Sequence, residues 1–542
     1  MMNAIFNLPT PVNEPVLNYK PGSQERKLVE KELQRQLDED LEIPLIIGGK
    51  TVKTGNIGKI VCPHDHGKVL ATYHKAGEKE VKMAIDTALK AKEQWAQMHW
   101  SDRAAIFLKA AELITTKYRY ILNAATMLNQ SKSIHQAEID ATAELADFYR
   151  FNAYFLQEIY KDQPMYNAPG AWNRLEFRPL EGFIFAITPF NFVSIAGNLP
   201  TAPALTGNVV LWKPASSVVY SNYYLMLLFK EAGLPDGVIN FVPGSGAQVG
   251  NPVLDDENLA GIHFTGSTGT FNYMWKKIGN NIAKYKTFPR IVGETGGKDF
   301  IFVHKSASTT EVAVAAVRGS FEYQGQKCSA ASRMYVPKSS WGEIKDKIQT
   351  MAKDIKMGDP LDFKNFMNAV IDENAFDSIT EYIDYAAKAD KAEIICGGKY
   401  DKKKGYYIDP TVIVTTDPHF KTIEEEIFGP VLTVYVYEDD KYEETLKLCD
   451  STSPYGLTGA IFSKDRFAVQ TAYAALRNSA GNFYINDKPT GAVVGQQPFG
   501  GARGSGTNDK AGSALNLQKW ISHRTIKETF CPARDYKYPF MK

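Results

Sequence analysis

Four short apolar runs between residues 182 and 265 constrain the fold of this chain more than any other feature. Each run is continuously apolar, as in a strand buried on both faces of a parallel sheet. Each is followed by a turn and a stretch with helical spacing of apolar residues. The runs cover residues 183–187, 209–212, 238–242 and 261–264. Because parallel strands need crossover helices that cover the sheet, this alternation predicts a doubly wound α/β sheet.

A second series of apolar runs begins at Phe300 and again alternates with helix-forming stretches. The runs lie at residues 300–303, 333–336, 395–396, 432–437, 460–462 and 482–486. This series predicts a second α/β domain, and 542 residues are enough for two domains with large cores.

The regions around these two series carry different patterns. Residues 43–70 alternate short apolar runs with Gly and Pro, which predicts edge strands. Residues 165–180 are rich in Pro, Gly and Asn and predict a β-hairpin that leaves the main body. Residues 510–542 form a tail with several aromatic side chains, and such a tail more often packs on a partner than stays exposed. Helices are predicted over residues 25–41, 78–95, 101–125 and 138–160.

Composition excludes several classes of function. The formal net charge is +1, so no overall field draws the chain to nucleic acid or to a membrane surface. No apolar run approaches the roughly 20 residues of a membrane span. The five cysteines are scattered without any Cys-x-x-Cys pair, which predicts no zinc or redox motif, no metal site and a reducing compartment. With no signal or transit pattern at its start, the expected location is the bacterial cytoplasm, or the mitochondrial matrix if the source is eukaryotic.

A lone cysteine and a glutamate, each on a glycine-bearing loop, suggest a nucleophile with a base. Cys328 ends the polar stretch 320–329, and Glu294 lies in the glycine turn 292–298. A free thiol has a pKa of about 8.5 and needs activation. Glu294 could deprotonate the thiol or activate a water, because burial raises a carboxyl pKa toward neutrality. The amide of Asn191 could donate to an oxyanion together with the Cys328 backbone N–H, or it could cap the following helix.

Two strand-to-glycine junctions are candidate phosphate sites. Gly246 follows one apolar run and Ser267 lies between glycines after the next. Glycines let backbone N–H groups approach a pyrophosphate at a helix N-terminus, although either junction alone fits a tight turn equally well. Two in succession favour a dinucleotide. Lys213 ends a strand of the same sheet, where its amine could reach ribose hydroxyls or extend into solvent.

Glu144 is a candidate on the third predicted helix. Glu144 and Phe148 are four residues apart and share a helix face, so the carboxylate could point to the interior. Spacing alone favours the other interpretation, a charged helix flank.

Together these segments resemble the aldehyde dehydrogenase superfamily over nearly the whole chain. The segments lie at residues 188–192, 213–214, 264–267, 293–298, 325–328 and 426–430. Finer features resemble the branch that acts on 1-pyrroline-5-carboxylate, the cyclic form of L-glutamate γ-semialdehyde. These are Phe192, Ser329, residues 136–140, residues 497–503 and residues 505–508.

The resemblance implies oxidation of L-glutamate γ-semialdehyde to L-glutamate with reduction of NAD, a step of proline breakdown. Cys328 would attack the aldehyde, Asn191 would hold the oxyanion, and Glu294 would activate the hydrolytic water. A Rossmann-like domain would bind NAD. The implied cofactor-binding residues are Phe190, Lys213, Ser216, Gly246, Ser267, Glu426 and Phe428.

The same resemblance implies a pocket for the amino acid part of the substrate. Glu144 would bind the ammonium group. Ser329, with backbone N–H groups of Gly512 and Ser513, would bind the carboxylate, and Phe192 and Trp520 would enclose the aliphatic chain. The alternatives are a dehydrogenase of another semialdehyde, such as succinate semialdehyde, and a non-catalytic scaffold that keeps the fold.

Cofactor choice and domain ranges complete the expectations. Ser216 stands where many family members have a glutamate that binds the adenosine ribose, so NAD is preferred and NADP is a weaker possibility. The implied domains are an NAD-binding domain (1–163 and 182–292), a catalytic domain (293–504) and a small β oligomerisation unit (164–181 and 505–542). The last unit predicts a homodimer or a larger homo-oligomer.

Overall fold

The computed structural model describes residues 6–541, so the outermost ends of the predicted domain ranges, residues 1–5 and 542, lie outside the described residues. Two seven-stranded sheets organise the described chain, one formed mainly by its first half and one by its second half. The predicted α/β fold is therefore confirmed.

The first sheet, here called the N-terminal sheet, has five neighbouring parallel strands and two antiparallel strands at one edge. Its central strands carry unbroken apolar sequence because helices cover both faces. The antiparallel pair comes from the region predicted as edge strands. In spatial order the strands are Arg290–Glu294, Leu259–Thr265, Phe183–Ile187, Val210–Lys213, Ile239–Phe241, Leu45–Ile47 and Lys50–Val52.

The second sheet, here called the C-terminal sheet, is parallel except for one antiparallel edge strand. In spatial order its strands are Ala392–Cys396, Thr411–Thr415, Val431–Tyr437, Ala331–Pro337, Asp299–Val303, Thr458–Phe462 and Asn482–Ile485. The chain passes from the first sheet to the second between Glu294 and Asp299. That crossing places the glycine turn of Glu294 between the two sheets.

Smaller strand groups surround the two sheets. A three-stranded sheet contains Leu41–Ile43, Asp65–His74 and Ile57–Cys62. Two short antiparallel pairs join Tyr400–Asp401 to Tyr407–Ile408 and Tyr455–Gly456 to Ala502–Arg503.

Helices cover both sheets. The α-helices are Gln24–Leu37, Glu78–Gln97, Trp100–Thr115, Arg119–Gln130, Ile134–Ala137, Leu145–Lys161, Val193–Leu205, Val219–Ala232, Gly246–Asp255, Thr268–Asn280, Thr309–Phe321, Lys338–Asp354, Glu373–Ala387, Lys421–Glu424, Tyr442–Ser451, Arg466–Ala475 and Ala514–Gln518. A π-helix, Glu138–Glu144, joins two of these helices into one long element. Short 3-10 turns occur at Ser216–Val218, Glu322–Gly325, Asp439–Lys441 and Pro539–Met541.

The prediction of a β-hairpin within residues 165–180 is wrong. This region contributes one strand, Ala171–Pro179, which pairs antiparallel with the tail strand Ile521–Thr529 over nine residue pairs. The turn residues at 165–170 lead into that strand and do not reverse the chain within the segment. The two strands form a ribbon whose hydrogen bonds join residues about 350 positions apart.

The tail also differs from its predicted role. Leu517, Trp520 and Ile521 are fully buried in the core around the N-terminal sheet. Residues 505–520 therefore contribute side chains to the core, although Asn508, Leu515, Gln518 and Lys519 are exposed, and most of the ribbon strand that follows is exposed. Among residues 6–541, no helix combines the length and apolarity needed to cross a membrane.

Candidate active site

Two cavities meet at Cys328, one on the side of the N-terminal sheet and one between helices and loops of both domains. The first has a volume of about 820 Å³ and is here called the cofactor cavity. The second has a volume of about 500 Å³ and is here called the substrate cavity. Phe264, Thr265 and Cys328 line both. A nucleophile at such a junction can reach ligands bound on either side.

The Cys328 loop is held in an unusual backbone conformation. Tyr323, Gln324 and Gly325 have successive φ values of 51°, 54° and 66°. Non-glycine residues in this left-handed region are costly and persist where the surroundings fix them. Gln324 provides that fixation: its Nε2 donates to Ser131 O (3.0 Å) and Ala369 O (2.8 Å).

Gln326 connects this loop to Asn191. Its Oε1 accepts from the Ile371 backbone N–H (2.8 Å), and its carbonyl oxygen accepts from Asn191 Nδ2 (3.1 Å). The amide of Asn191, which is 2% exposed, is thereby held at the wall of the cofactor cavity that also contains Cys328. This position suits a donor to an oxyanion on carbon attached to the sulfur.

Asn191 does not cap the helix that follows it. The first free N–H groups of that helix, on Val193 and Ser194, donate to the carboxylate of Asp140 at 2.9 and 2.8 Å. Because Asp140 fills the capping role from another helix, the Asn191 side chain is left for the site.

The surroundings of the Cys328 thiol disfavour its thiolate form. Burial raises the pKa of this thiol, and the nearby carboxyls of Asp299, Glu294 and Glu426 raise it further. Because the thiolate is the nucleophile, the thiol must lose its proton before it can attack.

Glu294 is a buried carboxyl at the site and a candidate general base. Burial raises the pKa of its carboxyl well above the ordinary value, while the hydrogen bond from Gly501 N–H and the charge of Lys510 oppose this rise. Its Oε2 accepts from Gly501 at 2.8 Å. The side chain lies at the substrate cavity with Cys328.

The cofactor cavity has the features that a dinucleotide needs. Two helices start at its wall, and their side-chain caps are Ser245 and Ser267. A Cβ atom at Gly246, Gly250 or Gly269 would meet nothing within 4 Å, so a ligand has room against the backbone there. Helix N-termini with open glycine backbone bind phosphate groups. The predicted residues that line this cavity are Phe190, Asn191, Lys213, Gly246, Ser267, Glu426 and Phe428.

Lys213 is a buried amine without an acidic partner. Burial lowers its pKa to about 8, and its Nζ donates to the Pro214 carbonyl oxygen at 3.1 Å. A ligand with hydroxyl groups would supply acceptors for the remaining protons.

Ser216 lies just outside the wall of the cofactor cavity. Its side chain is exposed, and its Oγ donates to the Gly244 carbonyl oxygen at 3.3 Å. Ala215, one residue earlier, is the residue of this turn that lines the cavity.

Glu426 and two aromatic rings shape the end of the cofactor cavity near Cys328. Glu426 Oε1 accepts from the Gly297 N–H at 2.8 Å. A Cβ at Gly296 would lie 2.3 Å from Glu426 Oε2, which explains the glycine there. The rings of Phe190 and Phe428 stand edge to face with centroids 5.7 Å apart.

Glu144 points into the substrate cavity, so the structure favours the interior orientation over a charged helix flank. It ends the π-helix, a feature that often marks functional sites because it shifts side chains relative to a regular helix. Removal from water raises its pKa to about 8, and Asp140 adds to the rise. Ser194 Oγ donates to its Oε2 at 3.1 Å.

A buried ion pair connects three segments that contribute residues to the substrate cavity. Lys132 Nζ lies 2.6 Å from Asp140 Oδ2, and both side chains are 1% exposed. The same ammonium lies 4.5 Å from the ring centre of Phe192 and 4.4 Å from that of Tyr323. One cation therefore contacts the π-helix, the Asn191 segment and the cysteine loop.

The predicted carboxylate site needs correction. Gly512 and Ser513 do not line the substrate cavity; the Ser513 hydroxyl donates to Lys510 O and accepts from Leu515 N–H at the start of a helix. Residues 490–492 line the cavity instead, and Thr490 Oγ1 lies 3.0 Å from Ser329 Oγ. The sequence signal was available in this Thr-Gly-Ala turn, which follows the last strand of the C-terminal sheet.

The predicted role of Trp520 is also corrected. Its ring is fully buried and packs on His263 with centroids 4.7 Å apart, outside the wall of the substrate cavity. The aromatic side chains at the cavity include the predicted Phe192 and two residues that sequence reasoning missed, Phe148 and Phe499. Phe499 belongs to the segment 497–503, one of the segments that carry the resemblance to the family branch.

Residues 6–541 contain no cluster of three or more His, Cys, Asp or Glu side chains arranged to hold a metal ion.

Comparison with known proteins points to one family. A family model described as "Aldehyde dehydrogenase family" matches residues 52–526. The chain is 55% identical to "Delta-1-pyrroline-5-carboxylate dehydrogenase, mitochondrial" of Dictyostelium discoideum, with 99% of this chain and 96% of that protein covered. It is 53% identical to "Delta-1-pyrroline-5-carboxylate dehydrogenase" of Agaricus bisporus, with 99% and 98% covered.

A solved structure shows the same similarity in three dimensions. The crystal structure of the Delta-pyrroline-5-carboxylate dehydrogenase from Mycobacterium tuberculosis bound with NAD superposes with a TM-score of 0.96. The two chains are 49% identical, and each is covered completely.

Proposed function

The chain belongs to the aldehyde dehydrogenase family, and from that premise we propose that it oxidises L-glutamate γ-semialdehyde to L-glutamate with NAD as the oxidant. The observation that carries the substrate assignment is the pair of polar ends in the substrate cavity. Glu144 supplies an acidic end, and Ser329 with Thr490 supplies a hydroxyl end. An ammonium and a carboxylate are the groups that these ends can satisfy.

The first half of the reaction takes place on Cys328. The Cys328 thiol first loses its proton to solvent water. The thiolate then attacks the aldehyde carbon, a C–S bond forms as the C=O π bond breaks, and the carbonyl oxygen becomes an oxyanion. The Asn191 amide and the Cys328 backbone N–H are the donors for that oxyanion. When bound, NAD supplies the hydride acceptor that turns this thiohemiacetal into a thioester.

The second half uses Glu294. Its carboxylate removes a proton from a water molecule, the water oxygen bonds to the thioester carbon, and the C–S bond breaks. The products are the carboxylic acid and the Cys328 thiolate. Burial raises the pKa of this carboxyl, which makes its carboxylate a stronger base for this proton.

The cofactor assignment rests on the shape and donors of the cofactor cavity. The N-termini at Ser245 and Ser267 suit the pyrophosphate, and Lys213 suits ribose hydroxyls. Glu426 and Phe428 border the end next to Cys328, where a nicotinamide must lie. NAD remains the preferred cofactor and NADP the weaker one, and the similar structure from Mycobacterium tuberculosis that holds NAD supports this choice.

The test is steady-state formation of NADH and NADPH with L-glutamate γ-semialdehyde and with succinate semialdehyde. We expect strong preference for the amino acid aldehyde, because succinate semialdehyde leaves Glu144 without a cation. We expect Cys328→Ala to abolish turnover while NAD still binds. Equal rates with the two aldehydes would refute the substrate assignment and leave the family mechanism intact.

Oligomeric state and location are further parts of the proposal. The exposed ribbon of Ala171–Pro179 and Ile521–Thr529 supports a homodimer or larger homo-oligomer, since both strands have free edges. All five cysteines are unpaired, which is compatible with a reducing compartment, the bacterial cytoplasm or the mitochondrial matrix.

A further inference from the structure

The N-terminal arm lies across the helix that carries Glu144. The segment at residues 13–19 precedes the first helix, has no regular secondary structure and still makes specific contacts with buried acids. It contacts the first residue of the π-helix Glu138–Glu144, the element that carries the acidic end of the substrate cavity, and Asp147, three residues beyond its last residue.

At one end of the π-helix the arm binds Glu138, which is fully buried. Leu17 N–H donates to Glu138 Oε1 at 3.0 Å, and Tyr19 Oη donates to Glu138 Oε2 at 2.7 Å. Arg119 pairs with the same carboxylate and, at 2.9 Å, with Glu14 of the arm.

Beyond the other end the arm binds Asp147. Glu14 N–H donates to Asp147 Oδ1 at 2.8 Å, and Asn13 Nδ2 donates to Asp147 Oδ2 at the same distance. The two acids, at the start of the π-helix and just beyond its end, therefore both accept hydrogen bonds from the arm.

Asn13 also binds the loop that forms the other end of the substrate cavity. Its second Nδ2 proton goes to the Val494 carbonyl oxygen at 2.8 Å, and its Oδ1 accepts from Gln496 Nε2 at 2.9 Å. Much of this loop is exposed after Thr490, whereas Val494 is buried and the backbone at Gly495 packs closely on Phe151.

We propose that the arm is a positioning element for substrate selection and that Asn13 is its central residue. Asn13 joins the Glu144 helix to the loop 490–496 and so fixes the distance between the two polar ends of the cavity. A substrate with an ammonium and a carboxylate is sensitive to that distance, whereas NAD is bound elsewhere. The inference rests on the proposed function for the identity of the two substrate groups.

The first test is Asn13→Ala with Asn7→Ala as the matched control, because Asn7 is exposed and lies six residues before Asn13. We expect Asn13→Ala to raise KM for L-glutamate γ-semialdehyde about five- to tenfold, the effect of losing one or two hydrogen bonds, with KM for NAD unchanged. Asn13→Asp should be at least as severe, since it removes both donors and faces Asp147 with a like charge. Equal KM values in Asn13→Ala and Asn7→Ala would overturn the proposal.

The second test does not depend on the substrate. Hydrogen exchange of the backbone amides at 490–496 should be faster in Asn13→Ala and in Gln496→Ala than in the unchanged enzyme. The effect in the double variant should be smaller than the sum of the two single effects, because the Asn13–Gln496 hydrogen bond is lost in both single variants. Unchanged exchange in Asn13→Ala, or faster exchange spread evenly over the whole chain, would overturn the inference even if the substrate proposal holds. Failure of the enzyme to use any amino acid aldehyde, with loop exchange altered as expected, would refute the proposed substrate alone.

Discussion

At the scale of single residues, three buried carboxyl groups of the site differ in the number and kind of their hydrogen-bond partners. Asp140 accepts from an ammonium and from two backbone N–H groups. Glu294 accepts one N–H, and Glu144 accepts one hydroxyl, so burial raises the pKa of both. The same side-chain chemistry thus gives a structural acid, a proton acceptor and a binding group.

Glu294→Gln tests the proposed division of the reaction into two halves. We expect a rapid release of about one NADH per active site, because thiohemiacetal formation and oxidation do not need this carboxylate. Steady-state turnover should then fall by about 10²–10⁴, the usual contribution of a general base. Rapid-mixing absorbance of NADH measures both phases. Loss of the rapid phase in this variant would place Glu294 in thiol activation instead.

Glu144 should make binding of the product L-glutamate depend on pH. Its pKa of about 8 means that the carboxyl is neutral below that pH and ionised above it. Because only the ionised form attracts an ammonium, inhibition by L-glutamate should become stronger as pH rises from 6 to 8, by up to about tenfold per unit.

Glu144→Gln is the control for that measurement. Its amide does not titrate in this range. Inhibition by L-glutamate should therefore be weaker, and its inhibition constant should be nearly independent of pH. A pH dependence of equal slope in both proteins would assign the effect to another group.

At the scale of elements, the sequence predicted strands and their order well because continuous apolar runs report burial directly. It predicted Cys328, Glu294 and Asn191 through residue type and loop context, and the structure brings them together. It failed where position depends on distant packing. The assignment of the carboxylate site to Gly512 and Ser513 could not be checked without knowing which loop faces Ser329.

The π-helix and the predicted hairpin illustrate the same limit. A π-helix differs from an α-helix by one residue per turn, and no apolar period at residues 138–144 reveals it. The strand Ala171–Pro179 pairs with a strand about 350 residues away. The turn residues beside it therefore predict a hairpin that the structure does not contain at residues 165–180.

Replacing Lys132 tests whether this residue holds the π-helix, the Asn191 segment and the cysteine loop together. Lys132→Met leaves Asp140 as an uncompensated buried charge, which should cost about 3–5 kcal/mol of unfolding free energy. Chemical denaturation followed by fluorescence measures the loss. Lys404→Met is the matched control: its exposed ammonium lies 3.7 Å from Asp65, a contact worth about 0–1 kcal/mol. Equal stability of the two variants would contradict the role given to Lys132.

At the scale of the whole molecule, the two sheets enclose the site between them, and the C-terminal ribbon extends away from it. The ribbon pairs a segment between the two parts of the first domain with the last strand of the chain. Its aromatic neighbours at the C-terminus, Phe530, Tyr536, Tyr538 and Phe540, are exposed in the single chain. Exposed apolar side chains next to free strand edges are typical of contact surfaces.

Truncation of the ribbon tests the proposed oligomer. A chain that ends at Trp520 lacks the strand Ile521–Thr529 and should be a monomer by sedimentation, because its remaining ribbon strand has no partner. A chain that ends at Thr529 keeps the strand and should retain most of the association. An oligomer of unchanged size in the shorter chain would show that the contact lies elsewhere.

The meeting of two cavities at Cys328 has a consequence for how such a chain can evolve. Of their lining residues, only Phe264, Thr265 and Cys328 serve both. Mutations elsewhere in the substrate cavity can therefore be selected for a new aldehyde without altering the cofactor cavity. Likewise, mutations in the cofactor cavity can change the preferred nucleotide without altering the substrate cavity. Descendants of one ancestor can keep one half of the catalyst while they diversify the other.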